Sequence, residues 1–229
     1  MTGRRAKLRA ELLQGIRAAA LSELKRVGAA ALSLRDVASV AGISPSGLYR
    51  YVDGRDGLLE LLISDGFESL GAAIEVAVDR TVGDAADRME AVAIAYRRWA
   101  LNNLEQFGLI LGTPVPGFHA REDGPTEPSV RRFAEPMIRV VAAARAASQT
   151  AGPREVRAGD IDLAGFNALT GGLPNSLVDV LVRSWSRVHG LVALEAFGHL
   201  RWSGADVEAL LRTEVHSIVA ELEARLSRS

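Results

Sequence analysis

The chain has 229 residues, of which 48% are hydrophobic, a composition that supports a buried core and argues against a disordered protein. It has no cysteine, which excludes disulfide bonds and a thiolate nucleophile and suits a reducing cytoplasm. The scattered charges of residues 1–17 predict no signal peptide, and no run approaches the roughly 20 apolar residues that a membrane-spanning helix needs.

The net charge of −1 hides an uneven distribution. Residues 1–55 hold ten Lys or Arg and four Asp or Glu, whereas residues 56–229 hold seventeen and twenty-four. A basic head on a larger acidic body is typical of a head that binds a polyanion such as nucleic acid. Chance variation in surface charge is the alternative.

The N-terminal segment predicts three helices. Gly28 ends a first helix, whose apolar residues recur at spacings of three and four: Leu8, Leu12, Ile16, Ala20, Leu24 and Val27. Ser33 then caps the short helical segment LRDVASVA, and Gly42 ends it. Ser44 and Pro45 have the residue types of an N-cap and a first helical residue, so they open a third helix. Two helices joined by a three-residue turn with glycine form a helix-turn-helix.

The third helix carries an unusual outward face. Leu48 and Val52 are four residues apart and share the inward side. The outward side then holds Ser46, Gly47, Tyr49 and Arg50, with Tyr51 near the boundary. An ordinary exposed amphipathic helix is the alternative to a binding face.

The remainder of the chain also reads as helical, since it has no repeat and almost no alternating strand pattern. Four of the eight prolines and three glycines fall in 112–128, which predicts a loop, and 150–160 predicts another. The predicted helices are 55–80, 84–103, 104–111, 129–149, 161–170, 174–201 and 205–226. The fold class is therefore all-α.

Other chemistries find little support in the sequence. The four histidines are His119, His189, His199 and His216, and His189 and His199 do not share a helix face. Glu195 and His199 do, but a surface pair explains their spacing. We expect no metal site, and the absence of Walker, H-E-x-x-H and G-x-S-x-G motifs predicts no catalytic residues and no cofactor.

An apolar cavity is a further candidate. Trp185 and His189 are four residues apart and share a face. Ligand pockets are mostly apolar with a few placed polar groups, and the other candidate lining residues are Tyr96, Trp99, Phe107, Phe118, Phe133 and Met137. Ordinary core packing of these side chains is the alternative.

Residues 32–62, LSLRDVASVAGISPSGLYRYVDGRDGLLELL, closely resemble the DNA-binding domain of TetR-family transcriptional repressors. Residues 185–198, WSRVHGLVALEAFG, resemble the Trp-His-Gly signature of one subclass, together with YRRWALNN and GTPVPGF. The two resemblances cover nearly the whole chain. They imply a three-helix helix-turn-helix DNA-binding domain at 1–55 and a helical ligand-binding and dimerisation domain at 56–229.

The resemblance implies that the helix at 45–51 reads DNA. Tyr49 and Tyr51 would bind phosphates, and Arg35 and Arg50 would carry base readout because Pro45 and Gly47 replace longer side chains. Gly54 stands where serine is common, and Arg55 where a phosphate-binding lysine is usual. The implied DNA-binding residues are Arg5, Ser33, Arg35, Ser44, Pro45, Ser46, Gly47, Tyr49, Arg50, Tyr51 and Arg55.

The last two predicted helices carry more apolar surface than one flank can bury. The resemblance implies that a second copy covers it, forming a four-helix interface with twofold symmetry. The predicted interface residues are Leu181, Val188, Leu191, Leu211, Val215, Ile218 and Leu222. Burial of the same side chains in the chain's own core is the alternative.

The leading hypothesis is a cytoplasmic, ligand-responsive transcriptional repressor. It would bind a near-palindromic double-stranded operator as a homodimer and respond to a small, mostly apolar ligand, with no membrane partner. One alternative is a DNA-binding activator or ligand-independent regulator with a filled core. The other alternative is an enzyme built on the helical body, which no catalytic motif in the sequence supports.

Overall fold

A computed structural model describes residues 2–121, 124, 126–147 and 175–227. Within those residues, the regular structure consists of nine α-helices and one 3₁₀ helix, Arg201–Ser203. Numbered in chain order, the α-helices are α1 (Thr2–Val27), α2 (Leu34–Val40), α3 (Pro45–Leu48), α4 (Gly54–Arg80), α5 (Ala85–Asn102), α6 (Leu104–Leu111), α7 (Thr126–Ala147), α8 (Asn175–Ala196) and α9 (Val207–Ser227).

The all-α fold is confirmed, and most helix ends fall within a few residues of their predicted positions. The largest differences are at α1, which begins at Thr2, and at α8, which ends at Ala196 instead of continuing to 201. Gly198 adopts a φ of 78°, a left-handed conformation that stops the α8 helix. The predicted loop at 150–160 and the predicted helix at 161–170 lie outside the described residues.

The chain forms two compact units. The described residues up to 68 and those of 103–130 form the first unit, and the described residues of 69–102 and from 131 onward form the second. The domain boundary predicted between residues 55 and 56 divides the chain differently, because 56–68 and the α6 region contribute to the first unit.

The first unit holds the helix-turn-helix. Its core consists of apolar residues from α1, α2, α3 and the start of α4, including Ile16, Leu24, Val37, Leu48 and Leu58, all of them buried. The turn between α2 and α3 depends on Gly42, whose φ of 68° is a conformation that side chains with a Cβ adopt with strain. The predicted N-cap of α3 is present, since the Ser44 hydroxyl accepts a hydrogen bond from the Gly47 N–H at 3.1 Å.

The loop after α6 also contributes to this core. Val115 is buried in the same apolar cluster, and Phe118 packs against it. Arg121, from the same loop, donates from Nε at 2.9 Å and from Nη2 at 2.5 Å to the buried carboxylate of Glu60 on α4. The hydrogen bonds from Arg121 outweigh desolvation and hold the pKa of Glu60 below its usual value. The folded head therefore includes residues 115–121 as well as the N-terminal helices.

In the second unit, α5, α8 and α9 pack against one another. Arg97 on α5 ties the three together, because its guanidinium lies 2.6 Å from Glu195 on α8 and 2.7 Å from Glu208 on α9. The C-terminal part of α4 approaches α7 at Gly71. A Cβ at Gly71 would lie 3.2 Å from the Arg132 carbonyl oxygen and 3.2 Å from the Phe133 Cα, so only glycine permits this approach without a shift of backbone.

We predict opposite effects for leucine at two helical glycines. Gly71→Leu should destabilise the protein by about 1–3 kcal/mol, because the new side chain would overlap the α7 backbone. Gly15→Leu on α1 is the matched control: a Cβ there would meet no neighbouring atom within 4 Å, so the change should add about 0.5–1 kcal/mol through helix propensity. Thermal or urea unfolding measures both, and equal stability of the two variants would show that α4 and α7 do not approach closely.

Candidate DNA interface and candidate ligand cavity

The helix-turn-helix presents a polar, cationic surface. Arg35 at the start of α2 and Tyr49 and Arg50 after α3 are exposed, and the Tyr49 side chain is 60% accessible to solvent. Ser44, Pro45 and Ser46 are exposed beside them, with the Ser44 and Ser46 hydroxyl oxygens 3.1 Å apart. These side chains offer hydrogen-bond donors for phosphate oxygens and, from the arginines, for base edges.

Gly47 does not lie on this outward face. It is buried, and a Cβ there would come within 3.2 Å of the Ser44 hydroxyl oxygen that caps α3. The prediction that Gly47 faces outward is therefore wrong, and the structure gives a local reason for glycine, which is room for the Ser44 cap. The sequence spacing alone does not reveal this, since the cap folds back over the first turn of the helix.

The predicted helix at 45–51 is shorter than expected. The α3 helix ends at Leu48, and the chain continues with tighter i→i+3 hydrogen bonds from Arg50 N–H to Gly47 and from Tyr51 N–H to Leu48. Tyr51 is half-buried against the core, and the Arg9 guanidinium carbon lies 6.0 Å from its ring centroid. Of the two tyrosines, Tyr49 is thus the more accessible to DNA.

Arg55 is held by the protein itself. Its Nη2 donates to the carbonyl oxygens of Ala29 at 2.9 Å and Ala30 at 3.2 Å in the α1–α2 turn. These bonds place the side chain against the turn and leave its other N–H groups for a phosphate. Ser33 is half-buried and makes no side-chain cap bond to α2. Arg5 lies in α1, and its side chain is outside the described part of the structure.

The second unit contains an apolar cavity of about 80 Å³. Its walls come from α5, α7, α8 and α9, and the described lining residues are Met89, Val92, Ala93, Tyr96, Met137, Val140, Val141, Leu181, Ser184, Trp185, Val188, Val215 and Ile218. A cavity needs roughly 10–15 Å³ to hold a water molecule, so this one has room for a small ligand.

Trp185 is the centre of an aromatic cluster beside the cavity. Its ring stacks on His189 with centroids 5.2 Å apart and meets Tyr96 and Phe133 edge-on at 5.2 and 5.3 Å. The Tyr96 hydroxyl and His189 Nδ1 are hydrogen-bonded at 2.7 Å. Burial raises the pKa of Tyr96 and lowers the pKa of His189, so both side chains are uncharged at neutral pH.

The structure brings together five of the eight predicted ligand residues. Tyr96, Met137 and Trp185 line the cavity, while His189 and Phe133 contact this lining from behind. Trp99 is buried elsewhere in the same unit, with its indole N–H donating to the Ser69 hydroxyl at 3.0 Å.

Phe107 and Phe118 require a correction. Both lie in the first unit, where Phe107 is fully buried and Phe118 packs on the helix-turn-helix core. Aromatic residues on adjacent predicted helices and loops are not neighbours in space when the intervening loop turns toward another core. The sequence contains no pattern that indicates which of the two cores this loop packs against.

The predicted dimer residues also require a correction. Leu181, Val188, Val215 and Ile218 line the cavity of a single chain, and Leu211 and Leu222 are buried within it, while Leu191 is half-buried. The burial of Leu211, Val215, Ile218 and Leu222 favours the alternative of packing in the chain's own core. Leu181, Val188 and Leu191 stay partly exposed, so their place in an interface stays a prediction. Leu181 and Val188 lie four residues before and three residues after Trp185, so helical spacing places them on the same face and could have identified them as cavity residues.

Two other classes of site are absent from the described part of the chain. No group of three or more His, Cys, Asp or Glu side chains there could hold a metal ion. None of the described helices is both long enough and apolar enough to span a membrane.

Two family profiles match the chain. The profile described as "Bacterial regulatory proteins, tetR family" matches residues 16–62, which contain the helix-turn-helix. The profile described as "Tetracyclin repressor-like, C-terminal domain" matches residues 89–218, which contain the cavity-forming helices.

Individual proteins agree with these profiles. HTH-type transcriptional regulator Rv1816 of Mycobacterium tuberculosis (strain ATCC 25618 / H37Rv) is 45% identical over 97 residues, which are 42% of this chain and 42% of that protein. The match therefore spans less than half the length of that relative.

Solved structures match over much more of the chain. The crystal structure of SCO4313, described as a regulatory protein, superposes with a TM-score of 0.69 at 30% identity and covers 96% of this chain and 98% of its own. The structure of a protein of unknown function from Rhodococcus sp. RHA1 superposes with a TM-score of 0.68 at 26% identity, and the match covers 90% of this chain and 93% of that protein's chain.

The chain belongs to the TetR family of transcriptional regulators, a family of DNA-binding regulators and not of enzymes. Its N-terminal helix-turn-helix is the DNA-binding part. The Trp-His-Gly subclass suggested by residues 185–198 stays a prediction.

We predict different effects for the exposed aromatic and cationic residues of the head. Tyr49→Phe should weaken binding to all duplexes to a similar degree, because it removes one phosphate hydrogen bond. Arg35→Ala or Arg50→Ala should also change sequence preference, by about 1–3 kcal/mol at one base pair if the lost contact is bidentate.

The measurement is competitive binding to duplexes that the wild-type protein selects from a random pool, repeated over a range of salt concentrations. Arg98→Ala, which removes an exposed cation of the second unit, is the control and should leave binding unchanged. Undiminished binding by a protein carrying all three head changes would show that this surface does not contact DNA.

Proposed function

We propose that the chain is a ligand-responsive repressor that binds a near-palindromic operator as a homodimer. The observation that carries this proposal is the pairing, in one chain, of a cationic helix-turn-helix surface with an apolar cavity in a separate unit. Family membership supports it, because TetR-type regulators combine a DNA-binding head with a regulatory domain.

Operator binding follows from the exposed head residues. Arg35, Tyr49 and Arg50 lie together on the surface of the helix-turn-helix and can contact one major groove. A single four-residue α3 supplies few base contacts, so specificity requires a second head. Two heads on a twofold axis would read half-sites separated by one helical turn, about 34–36 Å.

Self-association has further candidate side chains beyond those predicted from the sequence. Four of the large exposed apolar side chains lie between the end of α8 and the start of α9: Leu194, Phe197, Trp202 and Leu210. Trp202 is 86% accessible in the single chain, which is unusual for so large an apolar side chain. A second copy that covers this segment would form a self-complementary contact under twofold symmetry.

Ligand response follows from thermodynamic linkage. A ligand that binds the cavity more tightly in one conformation shifts the population toward that conformation. If that conformation binds operator weakly, ligand and DNA oppose each other by the same factor in both directions.

A ligand-independent regulator is a second candidate, and the small volume of the cavity favours it. About 80 Å³ is less than typical ligand pockets, which occupy roughly 300–1,000 Å³. In that case the aromatic cluster would serve only as core, and DNA affinity would not change with any compound. Activator and repressor roles differ only in where the operator lies relative to a promoter.

Charged substitutions in the exposed segment should separate the two copies. Phe197→Glu combined with Leu210→Glu should give a folded monomer with weakened operator affinity, because both side chains are 44–45% exposed and carry little of the chain's own core. Light scattering coupled to size-exclusion chromatography reports the mass. Val82→Glu, at a 99% exposed apolar residue outside this segment, is the control and should remain dimeric. A monomeric wild-type protein would refute the homodimer and the symmetric operator.

Loss of the half-buried His189 should uncouple ligand binding from DNA binding. Compounds that stabilise the protein thermally should lower its affinity for the selected duplex, and His189→Ala should reduce that response while changing DNA affinity by less than about twofold. His199→Ala, at an exposed histidine of the same unit, is the matched control and should respond like wild type. Stabilising compounds that never change DNA affinity would favour the ligand-independent regulator.

A further inference from the structure

The cavity is lined by uncharged side chains alone, among the residues that the structure describes. Its polar side-chain groups include the hydroxyls of Tyr96 and Ser184. The Ser184 hydroxyl donates to the Val180 carbonyl at 2.6 Å, and the Tyr96 hydroxyl is hydrogen-bonded to His189 at 2.7 Å. Both groups already have a protein partner, so neither requires a ligand to satisfy it.

Three arginines close to the lining residues in sequence or space, Arg97, Arg187 and Arg212, are engaged in ion pairs with the protein's own carboxylates. Arg97, which follows Tyr96, pairs with Glu195 and Glu208 at 2.6 and 2.7 Å. These contacts hold the guanidinium in an ion-pair network that links three helices.

Arginines that neighbour the cavity-lining residues of α8 and α9 are also held in ion pairs. Arg187, between Trp185 and Val188, forms ion pairs with Glu214 and Glu221. Arg212 pairs with Glu90, the neighbour of Met89, at 3.0 Å. Arg97, Arg187 and Arg212 are thus each neutralised by carboxylates of the protein, and those carboxylates by the arginines. A charged ligand would have to break one of these pairs or stay unpaired in an apolar site, and both cost free energy.

The polar pair beside the cavity is also uncharged. Tyr96 and His189 share a hydrogen bond, and desolvation disfavours the charged form of each side chain. A neutral imidazole gives a carboxylate no charge to pair with. It can keep its hydrogen bond to Tyr96 while an apolar molecule occupies the cavity.

We propose that the cavity takes an uncharged, hydrocarbon-like ligand about the size of one aromatic ring, and that it excludes anions and cations of the same shape. This inference rests on the proposed function only in assigning a regulatory role to the cavity. An apolar cavity of about 150 Å³ accommodates benzene, so the roughly 80 Å³ here requires some expansion. Met89 and Met137 line the wall and can supply it, because the unbranched thioether side chain has three rotatable bonds.

The test uses four probes that share a ring and differ in charge: toluene, benzyl alcohol, benzoate and benzylammonium. At neutral pH, toluene and benzyl alcohol should raise the melting temperature of the full chain and bind measurably by calorimetry. Benzoate and benzylammonium should bind at least about tenfold more weakly, because each would be desolvated without a counter-ion. Binding of either ion within tenfold of toluene would overturn the inference, and so would failure of all four probes to bind.

Two matched variants assign the binding to this cavity. Val188→Phe should abolish binding by filling the space, and Ala93→Val, which adds two methyl groups, should weaken it in case the larger change prevents folding. Val82→Phe, at a 99% exposed position outside both the cavity and the proposed self-association contact, is the control and should bind like wild type. Toluene binding that survives both cavity variants would place it elsewhere and overturn the inference.

A separate readout keeps the two proposals distinguishable. Affinity for the selected duplex is measured with and without saturating toluene. A change in affinity supports both the ligand class and the regulatory role. Toluene binding without any effect on DNA would support the ligand class and contradict the ligand-responsive function.

Discussion

The second unit depends on the packing of Trp185 against three other rings. Its indole ring is covered by His189 on the same helix, by Tyr96 from α5 and by Phe133 from α7. Edge-on and stacked contacts of this kind fix ring positions as well as burying area. The Tyr96–His189 hydrogen bond and the Arg97 ion pairs link α5 to the following helices at successive positions. The cavity lies beside these contacts, and its lining includes Tyr96 and Trp185 themselves together with aliphatic and methionine side chains of α5, α7, α8 and α9.

This arrangement also uses much of the apolar surface of α8 and α9. Leu211, Ile218 and Leu222 are buried within the single chain, and Leu181 and Val188 line the cavity while remaining half-buried. A helix with more than one apolar stripe must meet more than one neighbour, and here α5, α7 and the partner helix of the same chain supply those neighbours. Four of the large apolar side chains that remain exposed lie near the junction of the two helices: Leu194, Phe197, Trp202 and Leu210.

The helical periodicity of the sequence was enough to predict the all-α fold, the helix-turn-helix and most helix ends. It also placed Trp185 and His189 on one face, because a spacing of four residues is a property of any helix. The assignment of Phe118 to a ligand site failed, since periodicity does not say which core a proline-rich loop packs against. The same limit applies to Leu211 and Val215, because a stripe of apolar residues predicts burial but does not distinguish burial in one chain from burial between two. Arg55 shows a third limit. Whether a guanidinium meets phosphate or backbone carbonyl oxygens depends on tertiary contacts that sequence spacing does not contain. Gly47 differs, because the room that it leaves for the Ser44 cap is a local contact between residues three apart.

The first unit illustrates how a distant segment becomes part of a DNA-binding head. Glu60 on α4 is buried, and a buried carboxylate is stable only when it is paired and hydrogen-bonded. Arg121 supplies that partner from the loop after α6, while Val115 from the same loop completes the apolar core beneath α1. Movement of this loop would leave the Glu60 carboxylate without its guanidinium and would expose apolar surface. The conformation of the loop and the stability of the helix-turn-helix are therefore linked, although more than fifty residues of sequence separate them.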